Sequence, residues 1–450
     1  MSTVRSAPGG LIMCAALCGV LLTWLAPSAV SADAFDQPEH VVVRHDTILN
    51  YAPRYELRID DAAASSAARF WHRVQQLPLY DRVTLDADGL AHGALDVHIM
   101  AWGAGDLTLP ADRQLASGDF AVAYARAKVL EPISVWGGRR FLTWGLPGGL
   151  HLDGIGIEQR SAMGLHFEAI AGRPVGSVFT PIGAHSEYVE PTVAYGARLG
   201  YERPGQLAAG VSFLERWGHG IATNRTVMAT VAYRSSDRLD MLATSTFDMG
   251  AGLEEARAQV AYLVSDAIEP DLGIVHADPQ KLLPSWSILS MFAADVYDEG
   301  VLGVTMRLSR AVSTRLELAG RRAYLPGGQH DDVHFGHRAD AILRYVPVPK
   351  EAEFIVELSR RDEATTTLDV GRVGASFRAY RRLRIAPEVG AAIDENAQKR
   401  TALLVRGSAE LPFGSRWSSV LTVDLARTPV ALAEVRSMLR VSYRFDSGGP

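Results

Sequence analysis

Apolar and polar residues alternate with a period of two through most of this 450-residue chain. The clearest stretch is the last, Leu439-Arg440-Val441-Ser442-Tyr443-Arg444-Phe445. Leu439, Val441, Tyr443 and Phe445 share one parity, and Arg440, Ser442 and Arg444 share the other. Successive side chains of an extended strand point to opposite faces, so this stretch predicts a strand with one apolar and one polar face. Comparable segments recur from about Tyr80 onward, among them Leu95–Ile99, Phe120–Tyr124, Leu165–Ala169, Thr226–Tyr233 and Leu302–Arg310. The pattern is cleanest in the C-terminal third, at His337–Tyr345, Phe354–Leu358, Leu403–Leu411 and Trp417–Leu425. Counting segments bounded by turn residues gives about 21 strands after Tyr80.

The connections alternate in length. Glu131-Pro132, Arg203-Pro204-Gly205, Pro347–Lys350 and Pro412–Ser415 are short, whereas Pro174–Pro191, His276–Gly300 and Leu325–Phe335 read as long loops. Short turns on one rim and long loops on the other are the arrangement of a transmembrane β-barrel. The expected fold is therefore all-β, an antiparallel up-and-down transmembrane barrel. Single-chain bacterial barrels have an even number of strands, so the expectation is about 18–20. The final strand, ending on an aromatic residue, resembles the closing strand of a bacterial outer-membrane barrel. That resemblance implies apolar side chains toward lipid and arginines toward a wet lumen. It also makes Leu439, Val441, Tyr443 and Phe445 a signal read by the barrel-insertion machinery.

The front of the chain has a different texture. Arg5, the apolar run Leu11–Ala26 and the small residues Val30-Ser31-Ala32 predict a signal peptide over 1–32, cleaved near Ala32. Residues 33–78 are expected to form an N-terminal periplasmic segment, with Asp60-Asp61 capping a short helix over Ala62–Gln76 that Pro78 stops. The barrel is expected over 79–445, followed by a tail at 446–450. Both cysteines, Cys14 and Cys18, lie in the signal, so the exported chain has no thiol for a disulfide, a metal or catalysis. A net charge of −6 gives no support for nucleic-acid binding. No later stretch is long and apolar enough for a membrane helix.

The polar parity supplies the candidate wall of a channel. It carries the basic residues Arg307, Arg315, Arg338, Arg344, Arg378, Arg406, Arg440 and Arg444. It also carries the acidic residues Glu317, Asp340, Glu353, Glu357, Glu410 and Asp424. An arginine at the bilayer midplane on the lipid face would cost about 2–4 kcal/mol, which supports this parity as interior. His330-Asp331-Asp332 with His334 and His337 has ligand chemistry, but it reads as a solvated loop, and no metal or other cofactor is expected. No nucleophile elbow or other diagnostic catalytic spacing is present, so an enzyme is not expected.

Gly138-Arg139-Arg140-Phe141-Leu142-Thr143-Trp144-Gly145, followed by Leu152-Asp153-Gly154-Ile155, resembles the pattern of alginate-export-like barrels. It is also similar to the polysaccharide-secretion porins of gliding bacteria. The resemblance implies an outer-membrane barrel that passes exopolysaccharide to the cell surface, with outer-membrane lipid around it and a periplasmic polysaccharide-export protein as partner. Arg140 stands where many such barrels have Gln. Two other functions fit the barrel alone: a passive diffusion porin for small hydrophilic solutes, and a structural or adhesion barrel acting through its extracellular loops.

Overall fold

The computed structural model describes residues 40–59, 69–108, 116–142, 150–180, 183–188, 193–218, 221–235, 238–278, 296–324, 333–362, 367–380, 382–395, 400–427 and 434–447. Their strands are β1 (His40–Ile59), β2 (Arg69–Gln76), β3 (Pro78–Gly89), β4 (Leu95–Asp106), β5 (Ala116–Leu130) and β6 (Ile133–Leu142). Next come β7 (Leu150–Arg160), β8 (Leu165–Thr180), β9 (Gly183–Tyr188), β10 (Val193–Arg203), β11 (Leu207–Gly218) and β12 (Ile221–Ser235). The series continues with β13 (Leu239–Asp248), β14 (Gly252–Tyr262), β15 (Ile268–Ala277), β16 (Val296–Arg307), β17 (Val312–Tyr324) and β18 (Val333–Val348). It ends with β19 (Ala352–Asp362), β20 (Thr367–Tyr380), β21 (Leu383–Asp394), β22 (Arg400–Phe413), β23 (Trp417–Arg427) and β24 (Glu434–Asp446).

Two of these segments prolong others rather than adding staves to the barrel. β2 and β3 run on from each other across Leu77, and both pair with β1. β9 pairs with the distal part of β8, while β10 pairs with its proximal part. Joining them leaves 24 − 2 = 22 staves, every neighbouring pair antiparallel. β1 pairs with β24 over Val42–Tyr51 and Ser437–Asp446, which closes the ring. Closure matters because an open edge would leave a row of unpaired backbone donors and acceptors.

The expected N-terminal periplasmic segment, residues 33–78, is corrected by this closure. His40–Ile59 is a barrel strand, and Arg69–Gln76 is a strand rather than the end of a helix; residues 60–68, including the expected cap, lie outside the described residues. Helix propensity differs between ordinary residues by only about 0.7 kcal/mol or less, and the ladder with β1 overrides it. β1 escaped the period-two pattern because Val42 and Val43, then Ile48 and Leu49, place apolar residues on both parities. The expected 18–20 strands become 22. The raw count of about 21 after Tyr80 matches the staves from β3 onward (22 − 1 = 21), and β1 makes the number even. The expected tail also shortens, since Asp446 belongs to β24. The expected signal peptide, residues 1–32, lies outside the described residues.

The first strand begins and the last ends at the same rim, here called the terminal rim. The short connections at Glu131-Pro132, Arg203–Gln206, Pro349–Glu351 and Gly414–Arg416 all lie on it. At the opposite, distal rim β15 ends and β16 begins, and β17 ends and β18 begins; residues 279–295 and 325–332 lie outside the described residues. The distal rim also carries one tight turn, Met249–Ala251, whose backbone N–H groups at Gly250 and Ala251 donate to Asp248 (2.7 and 2.8 Å). Pro174–Pro191 is not a loop, because the end of β8 and β9 form a hairpin within it.

Residues opposite each other in an antiparallel register share a face. One face is apolar and open, with Leu272, Leu302 and Leu318 each more than half exposed. Near the terminal rim it bears aromatic residues: Tyr345 stacks on Phe354 (5.9 Å between ring centroids), and Trp417 touches Phe413 (6.1 Å) and Tyr443 (4.8 Å). Leu439, Val441, Tyr443 and Phe445 all lie on this face of β24. Within β18, Phe335 and Tyr345 mark its two ends. Ten residues span roughly 33 Å along a strand, or roughly 25 Å at a tilt of 35–45°, the height of a membrane-facing apolar band.

Deleting residues 40–59 should abolish the folded, heat-modifiable species on gels, because β24 and β3 would then be two open edges. A normal folded band from that deletion would show that β1 is dispensable.

Candidate channel wall

The opposite face is polar, and its charges are ordered. Across β19–β24 one charge per strand alternates in sign: Glu357, Arg372, Glu388, Arg406, Asp424 and Arg436. Arg372 is ion-paired with Glu357 and reaches Glu388 at 3.6 Å. Arg406 grips Asp424 with two parallel hydrogen bonds, Nε to Oδ1 at 2.7 Å and Nη2 to Oδ2 at 3.0 Å. Arg436 donates to Glu434 at 2.6 Å. These arginines are 42–52% exposed, so each pair adds only about 0.2–1 kcal/mol to stability. Their effect is that this face stays polar and nearly neutral.

A tighter network joins β15 to β18. Arg315 donates to both oxygens of Asp271 (2.9 and 3.1 Å) and to Glu317 (2.8 Å). Arg338 donates to the other oxygen of Glu317 (2.5 Å) and lies 3.2 Å from Asp340. Arg315 must cross β16 to reach Asp271, and Gly303 gives the carboxylate room: a Cβ there would collide with it. The Asp271 side chain is only 6% exposed, so this pair is buried as well as bidentate.

The same face of β6–β12 is different. Trp136, Leu152, Ile170, Leu214 and Met228 form a buried apolar cluster. Trp136 lies over Gly156, where a Cβ would strike the indole ring. Arg140 stacks on Trp136 (5.0 Å) and Tyr124 (5.3 Å) and pairs with Glu158 and Glu168. The polar face thus has a packed N-terminal half and an open, charged C-terminal half.

The sequence-derived residues fall on this face and divide into groups. Arg315, Glu317, Arg338 and Asp340 belong to the network, and Glu357, Arg406 and Asp424 to the alternating ladder. Arg344 pairs with Glu353 (2.6 Å) and Arg378 with Glu351 (3.4 Å) near the terminal rim. Arg307 donates to the Asp266 carbonyl in a rim turn (3.1 Å). Glu410 sits opposite Arg384, whose Nε donates instead to Ser376 (2.6 Å). Arg440 and Arg444 lie where the barrel closes. Five members were not foreseen: Asp271, Arg372, Glu388, Arg436 and Glu299, which pairs with Arg321 (2.9 Å) and lies 3.6 Å from Arg338. Parity with Arg378 would have found Arg372, and spacing of four from Arg440 would have found Arg436. Glu299 lay in the stretch read as a loop, and Pro270 obscured the strand around Asp271.

The Gly-Arg-aromatic motif has a local role in the sheet. Arg139 binds both oxygens of Asp153 (2.6 and 2.8 Å) across β6 and β7, on the apolar face beside Phe141 and Ile155. Asp119 accepts a further bond from Arg139 (3.0 Å). His334 and His337 have opposite parity in β18 and do not converge. Among the described residues, no group of three or more His, Cys, Asp and Glu is placed to hold a metal ion.

These features define a 22-stranded antiparallel β-barrel with one apolar and one charge-laced face. No known family model matches the chain, and no curated protein does. Among solved structures, a mutant of the ferric enterobactin receptor (PfeA) from Pseudomonas aeruginosa is similar, with a TM-score of 0.52 and 9% identity. That match covers 89% of this chain and 80% of the receptor, and it supports the barrel fold. The P pilus usher (PapC) translocation pore gives a TM-score of 0.48 at 8% identity, covering 89% and 99%. OccAB3 of Acinetobacter baumannii gives 0.45 at 9%, covering 91% and 99%.

Substituting Arg315→Ala strands the Asp271 carboxylate and should destabilise the barrel by about 3 kcal/mol in urea unfolding from lipid vesicles. Asp271→Asn combined with Arg315→Ala should recover a substantial part of that loss. An Arg315→Ala variant as stable as wild type would remove the network from the account.

Proposed function

We propose that this chain is a channel of the bacterial outer membrane that passes hydrated polar solutes. The observation that carries this reading is the alternating ladder from Glu357 to Arg436, on the face opposite the apolar, aromatic-edged one. With the apolar face toward lipid, the ladder lines a lumen. In a barrel of this width such a lumen is aqueous unless a segment fills it. Among the described residues there are only strands, their connecting turns and one four-residue helical turn, Leu90–Gly93. A wall of paired opposite charges offers hydrogen bonds along its length without holding one solute tightly, which favours conduction over storage. The terminal rim then faces the periplasm, where the insertion machinery reads β24, and the distal rim faces outward.

Export of exopolysaccharide is the second reading. The ladder supports it, since a polymer sliding past regularly spaced donors and acceptors exchanges equivalent bonds at each step. The Gly138–Ile155 motif does not add to it, because Arg139 and Asp153 serve the joint between β6 and β7. Under this reading a periplasmic export protein would deliver the polymer to the terminal rim.

Single-channel recording in a planar bilayer separates the alternatives. Large, stable steps unaffected by added polysaccharide are expected for a solute channel, and steps blocked by it for an export channel. Silence from verified, folded barrel would defeat both and leave a structural or adhesion role.

A further inference from the structure

The seam where β1 meets β24 departs from the rest of the wall. Arg44 and Arg444 stand directly opposite each other in the register, on the polar face. Arg440 lies four residues before Arg444 on β24, and Arg82 lies opposite Asp46 on β3. Like charges directly opposite each other in a sheet repel, with Cβ atoms only about 5 Å apart. Across β19–β24 each arginine alternates with a carboxylate, but here two arginines face each other directly, and the carboxylates Asp46, Asp86 and Asp446 lie only diagonally from them.

All three carboxylates are already engaged, Asp86 lying 3.0 Å from His98 Nδ1. Asp46 accepts from Arg82 Nη2 (2.5 Å) and from Ser442 Oγ (2.6 Å). Asp446 accepts from Arg444 Nη2 (3.0 Å) and lies 2.9 Å from His40 Nε2. Among the described residues, no carboxylate makes an ion pair with Arg44 or Arg440. The residues directly opposite them on the outer sides, Thr84 and Val420, are neutral, and Asp86 and Asp46 lie diagonally, each held by another partner. All four arginines are exposed, Arg82 by 54% and Arg444 by 61% of their side chains. Folding gains nothing from an opposed arginine pair, and the repulsion would be relieved by an acceptor supplied from solution.

We propose that this seam binds a small multivalent oxyanion, with Arg44, Arg440 and Arg444 as its donors. Guanidinium groups present planar pairs of N–H donors that match phosphate and carboxylate oxygens, and an acceptor with several such oxygens can bridge more than one. The proposal rests on the reading of the polar face as a channel wall, and it gives that channel a preference for anions near its terminal-rim mouth.

The test is calorimetric titration of inorganic pyrophosphate into the folded, detergent-solubilised full chain at low salt, where screening is weak. Saturable binding is expected, weakened about tenfold or more in Arg44→Gln/Arg440→Gln. That variant should unfold no more readily than wild type, since it removes a repulsion. Arg360→Gln, on the apolar face near the distal rim, should keep wild-type affinity. Absent binding, equal binding in wild type and the double variant, or equal weakening by Arg360→Gln would each overturn the site. Conductance is read separately. Pyrophosphate binding without conductance would remove the channel and keep the site, whereas conductance without binding would do the reverse.

Discussion

Closure between β1 and β24 is the constraint on which everything else depends. A sheet of 21 staves would expose two edges, and in hydrocarbon an unpaired backbone N–H or C=O costs several kcal/mol with no water to satisfy it. Val42–Tyr51 removes both edges at once, because it pairs with β24 on one side and β3 on the other. The parity of every side chain follows from that ring. Once the register of one strand is fixed, each neighbour inherits which residues lie on the apolar face and which on the polar one.

The electrostatics of the polar face then divide by position. Where the wall is open, from β19 to β24, the ion pairs are half-exposed and contribute little to stability, so their regular alternation sets the character of the surface. Where it is enclosed, around Asp271 and Trp136, the same residue types do structural work. Asp271 is held by a bidentate arginine over a glycine, and Trp136 packs against both Gly156 and Arg140. The seam belongs to neither class, since Arg44 and Arg444 face each other and only Arg444 has a carboxylate partner, Asp446.

Much of the fold was legible because period-two alternation is a direct image of a two-faced strand. It was clearest where the faces are most unlike, as in Leu439–Phe445, and it failed where apolar residues occupy both parities, as in Val41-Val42-Val43. The Ala-rich stretch before Pro78 carried a helical propensity that strand pairing overrode at Arg69–Gln76. The candidate wall was half legible. Parity located Arg406 and Asp424 on one face, but no sequence rule shows that they grip each other while Arg384 turns to Ser376. The Arg139–Asp153 pair shows the converse: a conspicuous motif can serve the joint between two strands and leave the charged face untouched.

The most direct test of the central claim is the accessibility of single cysteines, since the only native ones are Cys14 and Cys18. Cysteines would replace Arg372, Glu388 and Arg406, or their neighbours Val373, Val389 and Val405, and each variant would be refolded in lipid vesicles. A bulky, charged thiol reagent should modify the first three rapidly and the second three slowly, because the first face water and the second face lipid. Equal rates for the two sets, or faster modification of the valine positions, would contradict a polar lumen inside an apolar-faced barrel.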